Sequence, residues 1–366
     1  MKKIMSVFGT RPEAIKMCPV IAELKKRSGI KCVVCVTGQH RELLKSTPEI
    51  FGIVPDYNLP VMKEGQTLTE LTCDILMRLN SVLEAERPDV VLVHGDTTTA
   101  FSAALACFYR QIPVYHIEAG LRTYRLDMPY PEEFNRQCVG LVAKYHFAPT
   151  KEAERNLIAE GKSRDSVFVS GNTIVDALNM TIREDYYHPL LDWVGSGRLL
   201  ILTLHRRENV GMPMQRVFGA VRRIVERYSD IFAIYPVHSN PTIGEAARKA
   251  FCGIDRIKVI EPLEVTDFHN IMYRAYIIIT DSGGVQEEAL HLGKRTVIVR
   301  DVTERPESLF SDMVRVSGTD EDAVCEAFGE LFTKETTAEK TPANPYGEGR
   351  ASVYIADIIE RDLFSL

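Results

Sequence analysis

Short, unbroken apolar runs alternate with amphipathic stretches along almost all of the 366 residues, and this alternation restricts the fold more than any single motif. The runs lack the polar alternation of a half-exposed strand, which is typical of strands that a parallel sheet covers on both faces. Strands that alternate with helices predict a doubly wound α/β fold. In the first half of the chain the runs are residues 4–8, 31–36, 90–93, 114–117, 145–148 and 167–169.

A second series of runs follows a break in the pattern. Residues 183–198 are polar and contain the lone Trp193 and the sequence Gly195-Ser196-Gly197, a composition typical of a connection between domains. A chain of this length also favours two domains over a single core. We therefore expect Rossmann-like domains at residues 1–182 and 183–350, followed by a terminal helix at 351–366. The second series comprises residues 199–203, 231–235, 257–260, 276–280 and 296–299.

Composition and charge exclude several classes of protein. The chain is 45% hydrophobic and 26% charged, as in an ordinary soluble enzyme, and its formal charge of −6 includes no basic block. This charge pattern argues against nucleic acid or an anionic membrane as a partner. The first apolar run ends in a turn instead of a small-residue cleavage site, and no apolar stretch reaches membrane-spanning length, so we expect a cytoplasmic protein. The 8 scattered cysteines favour reduced core residues over a disulfide framework.

The apolar run at 276–280 leads into a segment typical of a helix start. Asp281 and Ser282 are short polar residues suited to capping a helix, and the next two glycines let backbone N–H groups approach an anion. Glu287 and Glu288 would repel phosphate, but carboxylates accept hydrogen bonds from sugar hydroxyls. The segment therefore predicts a nucleotide site, with a capped turn as the alternative. It reads Asp281-Ser282-Gly283-Gly284-Val285-Gln286-Glu287-Glu288.

The loop after the first run does not match a dinucleotide fingerprint. Gly9 is its only glycine where three are needed, which argues against a bound nicotinamide. Arg11 and Lys16 follow this run and are about 140° apart around a regular helix, so they share a site only if Arg11 precedes the helix. Their place at the carboxyl end of a parallel strand favours an anionic substrate over two solvated cations.

Acidic residues follow two neighbouring runs. His94 with Asp96, and His116 with Glu118, are two residues apart and share a strand face, so a divalent metal site is one interpretation. We favour another, in which one member of each pair holds a turn and the carboxylates act as acid and base without metal. Glu132 is a third acid, in the first turn of a predicted helix, where it can also simply complement the helix dipole.

Cationic residues follow the runs of the second domain. His205 and Arg206 follow one run and His238 follows another, at the sheet edge that also holds the Ser282 turn. A single histidine often only satisfies a backbone group, but several cations at one edge predict a diphosphate pocket. Arg305 follows the last run and can reach the same anion or an acid.

Taken together, the motifs resemble those of bacterial non-hydrolysing UDP-N-acetylglucosamine 2-epimerases, nearly from end to end. The resemblance is specific because it involves many separate segments. They are Phe8-Gly9-Thr10-Arg11-Pro12-Glu13-Ala14-Ile15-Lys16, His94-Gly95-Asp96-Thr97-Thr98-Thr99, Glu118-Ala119-Gly120-Leu121-Arg122-Thr123, Pro131-Glu132-Glu133, Gly171-Asn172-Thr173, His205-Arg206-Arg207-Glu208, Asp281-Ser282-Gly283-Gly284, Thr303-Glu304-Arg305-Pro306 and Asn344-Pro345-Tyr346-Gly347.

The resemblance implies a fold, a reaction and partners. The fold is that of B-type glycosyltransferases, with two Rossmann-like domains facing across a cleft that holds the active site, and a terminal helix that packs back on the first domain. The substrates are UDP-GlcNAc and UDP-ManNAc, interconverted for cell-envelope polysaccharide synthesis by elimination of UDP to 2-acetamidoglucal and re-addition. No cofactor or metal is implied, and a homodimer is expected.

The resemblance also implies site residues. The catalytic residues are Asp96, Glu118, Glu132 and His205. The substrate-binding residues are Arg11, Lys16, His205, Leu263, Phe268, Ser282, Gly283, Gly284, Glu288 and Arg305. Relatives can be activated by UDP-GlcNAc at a second site, to which Gln39, His40, Arg206 and His238 correspond. Two positions depart from the pattern, since Leu263 replaces a glutamine of some relatives and Gly65 replaces an arginine.

Three other functions remain open. A hydrolysing epimerase would release UDP and free ManNAc, but that group has an arginine after Gly-Asp where this chain has Thr97-Thr98-Thr99. A glycosyltransferase of the same fold would not need three acids in the first domain. A sugar-nucleotide-binding regulator would bind the substrate without chemistry.

Overall fold

The computed structural model describes residues 1–38, 43–63, 65–206, 209–237, 241–300, 307, 309, 311–333 and 344–364. The chain divides into two compact units, which are Met1–Met180 together with Pro345–Leu366, and Thr181–Asn344. We call them unit 1 and unit 2. In the described ranges, no helix has the length and apolar character needed to cross a membrane.

Unit 1 contains a sheet in which every pair of neighbouring strands is parallel. Its strands are β1 (Lys2–Phe8), β2 (Ile30–Val36), β3 (Tyr57–Asn58), β4 (Val90–His94), β5 (Val114–Ile117), β6 (Tyr145–Ala148) and β7 (Val167–Val169). The spatial order is β3-β2-β1-β4-β5-β6-β7, so the direction of winding reverses between β1 and β4. Such a reversal is where ligands bind in open α/β sheets.

Six α-helices connect these strands, and a seventh follows β7. They are α1 (Arg11–Leu24), α2 (Leu43–Ile50), α3 (Leu68–Glu86), α4 (Thr98–Tyr109), α5 (Glu132–Val142), α6 (Lys151–Ala159) and α7 (Thr173–Thr181). One core cluster joins Met5 and Val7 of β1 to Leu79 of α3 and Ala103 of α4. Ile4 and Phe8 of β1 are also fully buried. Burial on both faces of the strand explains its unbroken apolar sequence.

Unit 2 contains a second sheet of parallel strands. The strands are β8 (Arg198–Thr203), β9 (Ile231–Pro236), β10 (Ile257–Ile260), β11 (Ile277–Thr280), β12 (Arg295–Ile298) and β13 (Val314–Val316), in the order β10-β9-β8-β11-β12-β13. Its helices are α8 (Pro189–Val194), α9 (Met212–Arg227), α10 (Pro241–Ala250), α11 (Val265–Tyr273), α12 (Gly283–His291) and α13 (Glu321–Thr333). The predicted α/β architecture with two doubly wound sheets is confirmed.

The last helix, α14 (Ala351–Phe364), belongs to unit 1 and packs on α1. At its start, the buried Asp176 of α7 accepts hydrogen bonds from the Ala351 and Ser352 amides at 3.2 and 2.9 Å. Near its end, Asp362 accepts a hydrogen bond from Tyr145 Oη at 2.8 Å and pairs with Lys144 Nζ at 2.7 Å. Both ends of the helix are therefore held by unit 1.

Candidate functional site

The two strands at the reversal point of unit 1 separate before they end. The β1–β4 ladder stops at Ser6 opposite Leu92, whereas β1 remains paired with β2 as far as Phe8. On the other side, β4 remains paired with β5 as far as His94. A crevice therefore opens between the loop after β1 and the loop after β4, at the carboxyl edge of the sheet.

Glu118 lies at this edge, directly after β5, in a polar cluster. Its carboxylate pairs with Lys16 Nζ and accepts a hydrogen bond from Asn172 Nδ2 at 3.0 Å. The Glu118 side chain is 10% exposed and that of Lys16 is 7% exposed, so the pair is largely shielded from water. Shielding strengthens such a charge-assisted contact. Residue types and spacing alone did not predict that Asn172 donates to Glu118. The Gly171-Asn172-Thr173 motif entered only through the family resemblance.

The backbone at Glu118 is in a conformation that residues other than glycine rarely adopt. Its φ angle is +61°, and such a left-handed residue costs roughly 1–3 kcal/mol unless its side chain compensates. Gly120, two residues later, has φ +91°, and an added Cβ would lie 2.3 Å from the Ala153 carbonyl oxygen. The loop after β5 therefore needs a glycine at 120 and tolerates strain at 118, as is typical of a functional loop.

His94 approaches Glu118, and neither of the histidine–acid pairs considered as a metal site is found among the described residues. His94 Nε2 lies 3.9 Å from Glu118 Oε2, and His116 Nε2 instead donates to the Gly95 carbonyl oxygen at 2.7 Å. Burial lowers the pKa of His94 to about 4, although Glu118 opposes this shift, so the imidazole is neutral at pH 7. The described residues contain no group of three His, Cys, Asp or Glu side chains able to hold a metal ion.

Asp96, after β4, is held by α5. Its Oδ2 pairs with Arg136 Nη2 at 2.7 Å, and its carbonyl oxygen accepts a hydrogen bond from Asn135 Nδ2 at 2.9 Å. The Asp96 side chain is 26% exposed, whereas that of Arg136 is 6% exposed. The carboxylate is therefore fixed from its buried side and keeps access to solvent.

The two neighbouring glutamates of α5 differ in environment. Both are in the first turn, as predicted for Glu132, which is half-buried. Glu133 is fully buried and accepts hydrogen bonds from the Thr123 and Tyr124 amides at 3.0 and 3.1 Å. Burial acts to raise the pKa of Glu133, but the hydrogen bonds from Gln137 and Thr123 hold it below its ordinary value. Glu133 therefore anchors the loop that begins at Glu118, and Glu132 is the better candidate for chemistry.

Glu13 of α1 connects the two loops of the crevice. Its Oε2 accepts hydrogen bonds from the Gly9 and Thr10 amides at 3.0 and 2.8 Å, and its Oε1 accepts one from Thr97 Oγ1 at 2.7 Å. Burial raises the pKa of Glu13 to about 7, against the lowering effect of these hydrogen bonds. Residue patterns did not single out Glu13, because a glutamate at the third helical position is also an ordinary capping residue.

This raised pKa predicts a pH dependence of stability. The folded state binds the Glu13 proton more tightly than the unfolded state, so the free energy of unfolding falls as pH rises from the unfolded pKa of about 4.5 to the folded pKa of about 7. Glu13→Gln does not ionise and avoids this loss. We expect the variant to gain about 3 kcal/mol relative to wild type between pH 4.5 and 7.5, measured by urea unfolding followed by circular dichroism.

Glu70 provides the control for that prediction. It forms the same capping box with Thr67 at the start of α3, but it is exposed and its pKa is lowered by hydrogen bonds from Thr67. Glu70→Gln should therefore lose stability relative to wild type as pH rises, the opposite sign. Equal pH trends for the two variants would contradict the assignment of the effect to burial of Glu13.

In unit 2, Asp281 organises the loop after β8 and does not cap α12 as predicted. It is fully buried, and its carboxylate accepts hydrogen bonds from the His205 and Arg206 amides at 3.1 and 3.0 Å and from Asn209 Nδ2 at 2.9 Å. Ser282 is the N-cap residue but, within the described residues, makes no side-chain capping bond. Asp281 does not cap α12 because its carboxylate already accepts hydrogen bonds from three donors of the loop after β8.

The start of α12 is open to a ligand. Gly283 and Gly284 are its first two residues, and first-turn amides have no acceptor within a helix. A Cβ added at Gly284 would meet no heavy atom of the described chain within 4 Å. The amide dipoles and the available space together suit an anion.

Glu288 and Phe268 belong to the same unit. Glu288 is buried, and its Oε1 lies 4.0 Å from Nε2 of His269, whose Nδ1 is 2.7 Å from Thr181 Oγ1. Phe268 is half-buried on α11, and Leu263 is half-buried in the loop that precedes this helix. Their predicted contacts with ribose and uracil stay predictions.

The remaining predicted residues divide into two groups. Thr10 caps α1, and Arg11 is the first residue of this helix. A site shared with Lys16 would require Arg11 to precede the helix, and it does not. Arg206 is half-buried and His205 is exposed. Gln39, His40, His238 and Arg305 lie outside the described residues.

The chain is similar to known proteins along almost its whole length. The family model described as UDP-N-acetylglucosamine 2-epimerase matches residues 22–360. The UDP-N-acetylglucosamine 2-epimerase of Bacillus subtilis (strain 168) is 51% identical over 357 residues, which cover 97% of this chain and 94% of that protein.

Solved structures extend the match to three dimensions. The S. aureus MnaA–UDP co-structure has a TM-score of 0.95 at 46% identity and covers 100% of this chain and 98% of that chain. The UDP-GlcNAc 2-epimerase from Neisseria meningitidis bound to UDP-GlcNAc has a TM-score of 0.92 at 40% identity, covering 98% and 100%. The family model, the sequence identity and the shared structure confirm the resemblance, and the chain belongs to the UDP-N-acetylglucosamine 2-epimerase family.

Proposed function

We propose that the chain interconverts UDP-GlcNAc and UDP-ManNAc by C2 epimerisation in the cytoplasm, without releasing free sugar, and supplies cell-envelope polysaccharide synthesis. The observation that carries this proposal is the pair of supported carboxylates at one sheet edge, Glu118 with Lys16 and Asp96 with Arg136. The Neisseria relative, whose structure contains UDP-GlcNAc, supports the choice of substrate.

The reaction needs proton transfer at a carbon that no carbonyl activates. We propose that a carboxylate removes the C2 proton while the C1–O bond to UDP breaks, which leaves 2-acetamidoglucal and UDP. A proton then adds to C2 from the opposite face, and the same UDP adds back to C1. Asp96, Glu118 and Glu132 are our candidates for these proton transfers.

UDP must be stabilised as it leaves and retained until it returns. In our proposal, Gly283 and Gly284 of α12 and His205 stabilise the developing negative charge with N–H dipoles and a cation. Glu288 accepts hydrogen bonds from the ribose, and Phe268 with the backbone at Leu263 contacts the uracil. Lys16, Ser282 and Arg305 complete the binding residues, and Arg11 contacts a different part of the ligand from Lys16.

One experiment separates this function from its rivals. Incubation of the protein with UDP-GlcNAc alone in D2O is expected to give UDP-ManNAc with deuterium at C2, detected by proton NMR. Phosphorus NMR of the same sample should show UDP-sugar and only traces of free UDP. Stoichiometric UDP would indicate the hydrolysing reaction, and binding without exchange at C2 would indicate a regulator. Absence of any turnover until a sugar acceptor is added would indicate a glycosyltransferase.

The proposal includes a homodimer formed through α4 and α5. Phe108 and Leu141 are 59% and 76% exposed. Phe108 lies seven residues after Phe101 on α4, and Leu141 lies seven residues after Phe134 on α5. The ring centroids of Phe101 and Phe134 are 5.7 Å apart, so the two helices contact each other there. Exposed apolar side chains in such a continuous strip are typical of subunit interfaces.

We expect light scattering to give the mass of a dimer for the wild-type protein. Leu141→Glu should shift the mass toward that of a monomer, because a charge would be buried without a partner. Met77→Glu, at a similarly exposed apolar residue of α3, is the control. An unchanged dimer in Leu141→Glu would place the interface elsewhere.

A further inference from the structure

The gap between β1 and β4 raises the question of what fixes the two loops of the crevice against each other. The last residue pair between β1 and β4 is Ser6 with Leu92, so no backbone pairing joins these two strands beyond that point. The loop after β1 leads to Arg11, and the loop after β4 contains Asp96. A displacement of one loop would change the distance between groups on opposite sides of the crevice.

The Glu13 carboxylate bridges this gap. One oxygen accepts from the Gly9 and Thr10 amides of the first loop, and the other accepts from the Thr97 hydroxyl of the second. Glu13 is 2% exposed, so water does not compete for these bonds. This carboxylate therefore connects the two loops beyond the end of the ladder.

Thr97 can transmit this constraint because its hydroxyl group both accepts and donates a hydrogen bond. Its Oγ1 accepts a hydrogen bond from the Ala100 amide at 3.0 Å and donates its proton to Glu13. The hydroxyl is thereby oriented by α4 as well as by α1. Asp96 is the preceding residue, and its carbonyl oxygen is held by Asn135. The backbone at Asp96 is therefore fixed from two sides.

We infer that Glu13 is a positioning residue for catalysis, which sets the Asp96 loop against the Arg11 loop through Thr97. It does not touch substrate, and its capping of α1 is a separate role. The inference rests on the proposed epimerase function where turnover is measured, but the geometry that it describes exists without substrate.

The chain contains a matched control for the capping role. Glu70 caps α3 with the same arrangement, since its Oε2 accepts from the Thr67 amide and hydroxyl, both at 2.8 Å. No second loop is attached to Glu70 among the hydrogen bonds of the described residues. If Glu13 only capped a helix, glutamine at 13 and glutamine at 70 would have the same small effect.

The first test is kinetic, at pH 8. Glu13→Gln replaces the acceptor of the Thr97 proton by an N–H donor, and we expect kcat to fall roughly 10- to 100-fold, as for a displaced catalytic group. KM should stay within about twofold, and Glu70→Gln should resemble wild type. Thr97→Val should reproduce the loss and Thr97→Ser should restore activity. The double variant Glu13→Gln/Thr97→Val should be no worse than Thr97→Val alone, because Thr97→Val already removes the contact with Glu13.

The second test does not need the reaction. We expect amide hydrogen exchange of residues 95–98 to be roughly tenfold faster in Glu13→Gln than in wild type or Glu70→Gln, after loss of one charge-assisted hydrogen bond. If wild-type protein does not turn over UDP-GlcNAc, the proposed function fails and exchange alone decides the inference. Unchanged kcat in an active enzyme, or unchanged exchange, overturns it. If Glu13→Gln does not fold, the Thr97→Val and Thr97→Ser pair provides the same comparison.

Discussion

Asp96→Asn is expected to lower the turnover of UDP-GlcNAc by roughly 10²- to 10⁴-fold. Asparagine has nearly the same shape as aspartate, but it cannot take up a proton at neutral pH. Because the Arg136 contact holds only one of the two carboxylate oxygens, the substitution should leave the loop in place. We therefore expect the variant to bind UDP with wild-type affinity, measured by calorimetry beside the kinetic assay.

Asp89→Asn is the control for Asp96→Asn. Asp89 lies just before β4, at the opposite end of the strand, where its carboxylate accepts a hydrogen bond from the Lys3 amide at 2.7 Å. The same change of chemistry at the same strand should leave kcat unchanged there. Wild-type turnover in Asp96→Asn would remove Asp96 from the mechanism, and loss of UDP binding would show that the residue acts in binding instead.

Asp281→Ala is expected to destabilise unit 2 by about 3 kcal/mol or more. The substitution leaves the His205 and Arg206 amides and the Asn209 side chain without their buried acceptor. The only tryptophan of the chain, Trp193, packs edge-on against Phe232 in this unit at 5.1 Å between ring centroids. Urea unfolding followed by its fluorescence therefore measures the effect. UDP binding should weaken as well, because the loop that carries His205 loses its support.

Asp320→Ala separates burial from backbone capping in the same unit. The Asp320 carboxylate also accepts hydrogen bonds from two amides, those of Asp322 and Ala323, both at 3.1 Å, but it is exposed. We expect a loss of only about 1 kcal/mol there, as for an ordinary helix cap. Similar losses in the two variants would mean that the Asp281 network contributes no more than a cap does.

Sequence predicted several strands with the bounds that the structure has, both inside the sheets and at an edge. The apolar runs at 114–117, 145–148 and 257–260 coincide with β5, β6 and β10. The strands β3 and β13 were not predicted. They are two and three residues long and lie at the sheet edges. Asn58 and Arg315 interrupt any apolar run, so pairing with a longer neighbour defines these strands, and no sequence pattern shows that.

Residue chemistry was easier to predict than residue partners. Sequence placed Asp96, Glu118 and Lys16 at strand or helix ends of one sheet edge, because parallel strands carry their ligand groups there. It did not predict that Lys16 contacts Glu118, since the two are 102 residues apart and meet only through the strand order β1-β4-β5. Asp281 shows the same limit, because its capping pattern is local and its actual partners belong to the loop after β8.

The place of α14 in unit 1 has a consequence for synthesis on the ribosome. Unit 1 is built from both ends of the chain, so its last helix emerges only after all of unit 2 has been translated. At ordinary elongation rates this delay is on the order of ten seconds. During that time Asp176 has no helix start to hold, and the Tyr145 hydroxyl and the Lys144 ammonium group lack Asp362. Unit 2 can therefore complete its fold on the ribosome before unit 1 does, although residues 1–180 of unit 1 are translated before unit 2.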